Sequence, residues 1–169
     1  MFNLGEIWAY PTDTSFGLGV RADDVHGLER LANIKGGREN KHFSLMCADE
    51  EMLLRFAELP EGFDVRTFFF EKPRTAILRP RALLPQSRFW PVDRVAFRIS
   101  TITEIAREIA FPVTATSANQ AGREPIFSVR EAAEVFGDHI RIYDAIGELS
   151  ENEPSEIWDL TQEPPERLR

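Results

Sequence analysis

Short apolar segments typical of β-strands alternate along this chain with segments whose apolar residues recur at helical spacing. The strand-like segments are Glu6 to Tyr10, His42 to Ala48, Thr75 to Leu78, Val95 to Ile99, Val113 to Thr116, and residues 140–145 and 156–161. This alternation predicts a layered α/β fold, or α+β in stricter schemes. Because the connecting segments are short, we expect a mixed sheet flanked by helices rather than a purely parallel one.

Helical patterns occupy most of the intervals between these segments. They cover residues 24–35, 49–59, 62–70, 101–110 and 129–136, and the first has Val25, Leu28, Leu31 and Ile34 on one face. Residues able to cap the helices precede four of these segments: Asp23 or Asp24, Asp49, Ser100 or Thr101, and Ser128. Gly36 and Gly37 end the first helical pattern, and Gly137 ends the last.

Length and composition favour one compact domain over residues 1–169. The chain of 169 residues is 43% hydrophobic and 28% charged, which is typical of globular proteins. Its apolar runs are too short for a membrane span, and its first ten residues lack the pattern of a signal peptide. We therefore expect a cytoplasmic protein. The net charge of −8 argues against a surface that attracts nucleic acid throughout, but a local basic cleft remains open.

Most familiar catalytic motifs are absent from the sequence. There is no G-x-G-x-x-G, no P-loop, no H-E-x-x-H and no C-x-x-C. The three histidines, His26, His42 and His139, are scattered, so a histidine-based metal site is not indicated. We interpret the single cysteine, Cys47, as a small buried hydrophobe rather than a nucleophile, because it lies in an apolar segment.

Two segments, residues 10–19 and 114–122, each end an apolar strand in small hydroxyl or amide side chains. Such groups, with free backbone N–H groups, can bind phosphate oxygens or an amino-acid carboxylate. Ordinary turn chemistry is the alternative interpretation, since the same residue types dominate turns. Lys35 and Arg38 could supply positive charge, and so could Arg98 inside an apolar strand. An arginine there faces a cleft or a carboxylate, unless that side of the strand is solvated.

Several motifs together resemble the YrdC/YciO-like family, which includes the threonylcarbamoyl-adenylate synthases of tRNA modification. In chain order they are PTDTSFGLG, KGGRENKHFSLMC, VAFRIS, TSANQAG-x-x-P and PSEIWDLT, and they span residues 7–161. The resemblance implies a twisted, mixed, largely antiparallel sheet flanked by helices, with a concave cleft. It also implies a nucleotidyltransferase that joins L-threonine, bicarbonate and ATP, with Mg²⁺, into threonylcarbamoyl-AMP and pyrophosphate. A separate transferase complex would then move the threonylcarbamoyl group onto tRNA.

The same resemblance assigns roles to individual residues. Thr14 and Arg98 would hold the threonine, and Thr12 would shape its pocket. The remaining assignments concern ATP: Lys35, Ser117 and Asn119 face the phosphates as the catalytic group, Thr116 borders that site, and Ser155 lies near the nucleotide. No protein residue is assigned to a metal.

The chain also departs from the family pattern. Family synthases carry a lysine and an arginine two positions apart, but Gly37 stands at the arginine position here and Arg38 follows one step late, so Arg38 binds ATP only if the loop is remodelled. Phe16 replaces the usual tyrosine, Glu71, Lys72 and Arg74 stand where the family is mostly neutral, and few residues precede the first strand.

These departures keep two other functions open. One is a protein that binds tRNA or double-stranded RNA through the arginines of its middle third. The other is a YciO-like protein that binds or hydrolyses acyl-adenylates without efficient synthesis.

Overall fold

The structure is a computed structural model that describes residues 1–36, 42–119 and 123–169. Its strands are β1 Trp8–Pro11, β2 Phe16–Gly19, β3 Leu45–Cys47, β4 Ala57–Glu58, β5 Arg74–Pro80, β6 Val95–Ile99, β7 Val113–Thr114, β8 Thr116–Ser117, β9 Arg141–Ile142, β10 Glu156–Asp159 and β11 Glu166–Arg167. Its α-helices are α1 Val25–Ile34, α2 Glu50–Phe56, α3 Val65–Phe70, α4 Thr103–Glu108 and α5 Val129–Phe136, and a short 3₁₀ turn follows α5. None of the helices in the described ranges has the length and apolar character required to cross a bilayer.

The strands form two mixed sheets. The smaller sheet has the order β8-β2-β1-β9, and the larger has the order β11-β10-β5-β6-β3-β7, with β4 beside β5. Within the described ranges, neighbouring strands are antiparallel except in the pairs β1 with β9, β5 with β10, and β3 with β6. The predicted mixed, largely antiparallel architecture flanked by helices is confirmed.

Residues 112–118, which we call the seam segment, join the two sheets. Val113 in β7 pairs with β3 of the larger sheet, whereas Thr116 in β8 pairs with Leu18 of the smaller one. The apolar pattern predicts one strand over Val113 to Thr116, but Ala115 lies between two short strands, and its amide donates to the carbonyl of Ser44 at 2.8 Å. One continuous stretch of chain therefore holds both sheets together.

The buried hydroxyl of Thr114 strengthens this junction. It donates to the carbonyl of Leu18 at 2.9 Å and accepts from the amide of Val20 at 3.0 Å. Thr114 has no exposed surface, so these bonds replace all the water that its hydroxyl would otherwise bind. The buried hydroxyl of Thr114 is thus hydrogen-bonded on both its donor and its acceptor side, where the seam segment connects the sheets.

Strand β6 lies inside the larger sheet and separates the core from the site. Val95, Phe97 and Ile99 are buried on one face, as expected from the two-residue period of a strand. Arg98 lies between them in sequence and therefore points to the opposite face. Because β6 pairs with β3 on one side and β5 on the other, its backbone is fixed in register along both edges.

Three predicted caps are confirmed. The carboxylates of Asp24 and Asp49 accept from the amides at the third helical positions of α1 and α2, and Ser128 forms a capping box with Glu131 on α5. The predicted cap of α4 by Ser100 or Thr101 is wrong, because Ile102 occupies the cap position and makes no side-chain bond.

Several boundaries and one buried position also differ from the sequence analysis. Helix α2 ends at Phe56 because the next residues pair with β5 as strand β4. Val25 belongs to the apolar pattern of α1, but it is the first residue of the helix and 66% exposed. Strand β1 includes Pro11, where the sequence analysis ended the strand one residue earlier.

Candidate functional site

A cavity of about 330 Å³ opens where the seam segment, β6 and the turn after β1 meet. Of the site residues predicted from sequence, those that line it are Thr12, Thr14, Arg98, Thr116, Ser117 and Ser155. They come from four distant parts of the chain, and the fold brings them to one surface. The cavity is thus the concave cleft that the family resemblance implies.

A hydrogen-bonded turn at residues 12–15 forms one wall. The hydroxyl of Thr12 donates to the carbonyl of Ser15 at 2.7 Å and lies 3.1 Å from the hydroxyl of Thr14. The amides of Thr14 and Ser15 donate to the Thr12 hydroxyl in turn. This is the local turn chemistry that hydroxyl residues provide. In this segment both sequence interpretations apply, because the turn is closed by its own hydroxyls and also lines the cavity.

Arg98 also lines the cavity, and its side chain is 9% exposed and forms an ion pair with Asp13. Asp13 is the second residue of the turn 12–15, so the pair connects the turn to β6. The prediction that Arg98 faces a cleft or a carboxylate is confirmed on both counts, because the residue lines the cavity and contacts Asp13. A buried guanidinium needs such a partner to offset its lost hydration.

Lys35, Ser117 and Asn119 form one cluster, although Lys35 lies 82 and 84 residues from the other two in sequence. The ammonium of Lys35 donates to the carbonyl oxygens of Ser117 and Asn119 at 2.6 and 2.7 Å and to Oδ1 of Asn119 at 2.8 Å. Ser117 connects the cluster to the cavity, because it lines the cavity and its hydroxyl donates to the same Oδ1 at 2.7 Å. The Nζ atom of Lys35 therefore contacts a residue of the cavity wall.

Sequence reasoning missed three groups that complete the wall around Ser155. The hydroxyls of Ser155 and Thr75 lie 3.0 Å apart, and Arg169 donates two hydrogen bonds to the carbonyl of Ser155. Asn152 also lines the cavity and donates to the carbonyl of Asp13 at 3.1 Å. Thr75 follows the atypical charged residues 71–74, and Arg169 follows a proline-rich stretch, so no local pattern marked either residue.

The family departures have different outcomes in the structure. Phe16 is fully buried and lines the cavity. The replacement of tyrosine by phenylalanine therefore removes a hydroxyl from the wall of the site. Arg74 is bound to Glu156 at 3.0 Å and to the end of α3, so it stabilises the edge of the larger sheet. Gly37 and Arg38 lie outside the described residues.

The structure also shows the environment of Cys47 and of the side chains that could bind a metal ion. Cys47 is fully buried in β3, and burial raises the pKa of its thiol, which confirms its interpretation as a small buried hydrophobe. Across residues 1–36, 42–119 and 123–169, no group of three histidine, cysteine or acidic residues is arranged to hold a metal ion.

Tyr10 gives a test of how tightly the seam segment is packed. Its hydroxyl donates to the carbonyl of Thr114 at 2.8 Å, and burial raises its pKa well above the ordinary value. The unfolded chain releases this proton near pH 10, whereas the folded chain keeps it. Above about pH 10 the unfolded state therefore binds fewer protons, and the free energy of unfolding should fall as pH rises.

Denaturant unfolding between pH 8 and 11 measures this dependence. We expect Tyr10→Phe to be less stable than the wild type at pH 8, by about 1–3 kcal/mol, because the Thr114 carbonyl loses its buried donor. The loss of stability above pH 10 should be smaller in that variant. An equal slope in both proteins would show that Tyr10 is not the group that titrates.

Comparisons with known proteins find relatives over nearly the whole chain. A family model named Sua5_yciO_yrdC, described as "Telomere recombination", matches residues 1–169. The threonylcarbamoyl-AMP synthase of Vibrio vulnificus is 30% identical over 171 residues, covering 94% of this chain and 89% of the relative. This match covers most of both proteins.

Solved structures show the same fold. The crystal structure of Pyrococcus abyssi Sua5 complexed with L-threonine superposes with a TM-score of 0.84 at 31% identity, covering 98% of this chain and 50% of that one. This chain therefore spans about half the length of the Sua5 protein. Escherichia coli YciO superposes with a TM-score of 0.79 at 21% identity, covering 98% of this chain and 82% of that one, which supports the fold alone. From the match over its whole length and from these relatives, the chain belongs to the Sua5/YciO/YrdC family.

Proposed function

We propose that the protein is a threonylcarbamoyl-AMP synthase. In this reaction the amine of L-threonine attacks bicarbonate to give a carbamate and water. A carbamate oxygen then attacks the α-phosphorus of ATP, and pyrophosphate leaves with the bridging oxygen. The observation that carries this proposal is the meeting of Arg98, Thr12, Thr14 and Ser117 in one cavity.

The threonine would bind between β6 and the turn 12–15. A guanidinium is suited to a carboxylate because its planar N–H groups can donate two parallel bonds. Arg98 would therefore bind the α-carboxylate, and the hydroxyls of Thr12 and Thr14 would accept or donate to the amine and hydroxyl. The Sua5 protein of P. abyssi, which shares this fold at 31% identity, binds L-threonine in its crystal structure.

The nucleotide would bind beside it, toward Ser117 and Ser155. Thr116 and Ser117 line the cavity in β8, and Lys35 and Asn119 stand behind them. A positive charge and several hydroxyls suit the phosphates of ATP, because negative charge builds up on the pyrophosphate as it leaves. Arg169 adds a guanidinium to this side of the cavity. The task of these residues is to position the reactants and to offset charge.

Mg²⁺ would enter with ATP. The described residues hold no cluster of acidic or histidine side chains around which an ion could be coordinated, and Mg²⁺ in nucleotide enzymes is commonly bound by substrate phosphates and water. We assign no protein ligand and no reaction step to the ion. Its expected contribution is to offset the charge of the triphosphate.

The direct test is synthesis by the purified protein. It is incubated with ATP, L-threonine, bicarbonate and Mg²⁺, threonylcarbamoyl-AMP is detected by mass spectrometry, and pyrophosphate is measured in parallel. We expect product that depends on each of the three substrates. Binding of threonylcarbamoyl-AMP without synthesis would instead favour the YciO-like alternative. Salt-sensitive binding of tRNA without synthesis would favour the RNA-binding one. A synthase would also need a transferase that consumes its adenylate product.

Thr14→Val tests the threonine site with little change in side-chain volume. The substitution removes the hydroxyl that lines the cavity, so we expect the KM for L-threonine to rise about 3- to 10-fold, the usual cost of one hydrogen bond. The KM for ATP should stay within about 2-fold. Thr101→Val, at an exposed position, is the matched control. Equal kinetics in the two variants would remove Thr14 from the site.

A further inference from the structure

We propose that Asp13 is a positioning residue that holds the guanidinium of Arg98 in the orientation that binds the α-carboxylate of the amino-acid substrate. The inference rests on the proposed function, because it assumes that an amino acid binds at Arg98. Asp13 would make the site select amino acids with a free carboxylate, and it would do so by orienting Arg98. Asp13 itself is not among the residues that line the cavity, within the described part of the chain.

The first support is the placement of Arg98. Its backbone is fixed in β6, which pairs with β3 and β5, but a long arginine side chain has several rotatable bonds beyond that anchor. Nη2 of Arg98 donates to Oδ1 of Asp13. This ion pair fixes the far end of the side chain, so backbone and guanidinium are both held before any ligand binds.

The second support is the rigidity of the residue that does the holding. Asp13 lies in the turn 12–15, which the Thr12 hydroxyl closes through bonds to Ser15 and Thr14. Asn152 adds a bond from its side-chain amide to the carbonyl of Asp13 at 3.1 Å. The Asp13 backbone is thus held from its own turn and from the segment before β10. A carboxylate in such a setting can impose a single orientation on its partner.

The third support is electrostatic. The side chain of Asp13 is 19% exposed and that of Arg98 is 9% exposed, so the pair lies in a partly desolvated region where charges interact more strongly than in water. A guanidinium has five N–H donors in a fixed planar fork. The bond to Asp13 uses one N–H group of the guanidinium and fixes the orientation of its plane. The remaining N–H groups are then oriented to donate to the carboxylate of the substrate. A ligand then binds without the entropic cost of ordering the side chain.

The test compares two ligands that differ only at the carboxylate. Binding of L-threonine and of L-threonine amide is measured by calorimetry on the wild type, Asp13→Ala and Asp13→Asn. If Asp13 acts through Arg98, Asp13→Ala should weaken L-threonine binding about 30-fold and L-threonine amide binding less than 3-fold. Asp13→Asn keeps an acceptor oxygen without its charge, and we expect a loss of about 5-fold for L-threonine. Asp93→Ala, an exposed aspartate just before β6, is the matched control.

A double-mutant comparison separates positioning from a general structural role. In an Arg98→Gln background, Asp13→Ala should change L-threonine binding by less than 2-fold, because no guanidinium remains to be held. An equal loss of both ligands in the single variant would overturn the role of Asp13. If Asp13→Ala fails to fold, the ratio of the two ligands in Asp13→Asn decides. Failure of the wild type to bind L-threonine would overturn the proposed function together with this inference.

Discussion

Arg98→Gln is expected to lower kcat/KM for L-threonine by roughly two orders of magnitude. A buried, charge-assisted bond to a carboxylate is worth about 2–5 kcal/mol when one partner is removed, and each 1.4 kcal/mol corresponds to a tenfold change. Glutamine keeps polar atoms near the cavity but has neither the charge nor the planar fork. The KM for ATP should change less than 3-fold, because the assigned nucleotide groups lie around Ser117 and Ser155.

Steady-state kinetics of the threonine-dependent reaction measures this effect. Arg130→Gln is the matched control, because Arg130 is an arginine on α5 whose side chain is 85% exposed. A reduction in kcat/KM for ATP as large as that for L-threonine would contradict the assignment of Arg98 to the carboxylate. Thermal unfolding of both variants shows whether the loss of the Asp13 partner also affects stability.

Phe97→Ala is expected to lower the free energy of unfolding by about 3–5 kcal/mol. Phe97 is fully buried and pairs with Leu45 and Ala76 in the middle of the larger sheet, so its removal leaves a cavity that neighbours on both sides cannot fill. That loss is a large part of the 5–15 kcal/mol by which a domain of this kind is stable. The consequence should be a marked fall in the midpoint of urea unfolding.

The matched control is Phe70→Ala, because Phe70 lies at the end of α3 and is 53% exposed. It should cost less than 1 kcal/mol. In the folded fraction of Phe97→Ala, the KM for L-threonine should stay within about 3-fold of the wild type, since Phe97 points away from the cavity. Phe97 would then affect stability, and its neighbour Arg98 would affect L-threonine binding. A large rise in KM in this variant would show that the two faces are coupled.

The sequence predicts much of the fold where a local chemical rule decides the structure. Asp24, Asp49 and Ser128 are correctly predicted as caps, because a side-chain oxygen just before an apolar helical pattern can accept from a free N–H group of the first turn. Strand β6 is found with its bounds, because alternation in VAFRI is strong. Strand β2 was not predicted, since its sequence FGLG contains two glycines, which normally disfavour strands.

The candidate site is predicted only in part. Thr12, Thr14, Arg98 and Ser117 were identified because they lie in motifs or in an unusual setting for a charged residue. Arg169 and Thr75 reach the cavity through the pairing of β10 with β5 and with β11. Such contacts between distant strands follow from tertiary packing, and no pattern within either segment encodes them.

The seam segment has a consequence for the motions that the protein allows. The amides of Thr114 and Ala118 donate to the carbonyls of Val20 and Phe16, at the two ends of β2 in the smaller sheet. Between them, the amide of Ala115 donates to the carbonyl of Ser44, next to β3 of the larger sheet. Separating the cavity walls would require these bonds to break together. Their hydrogens should consequently exchange with deuterated solvent through global unfolding rather than local opening, at rates among the slowest in the chain. Ligands must then enter through the mouth of the cavity, with the two sheets remaining joined.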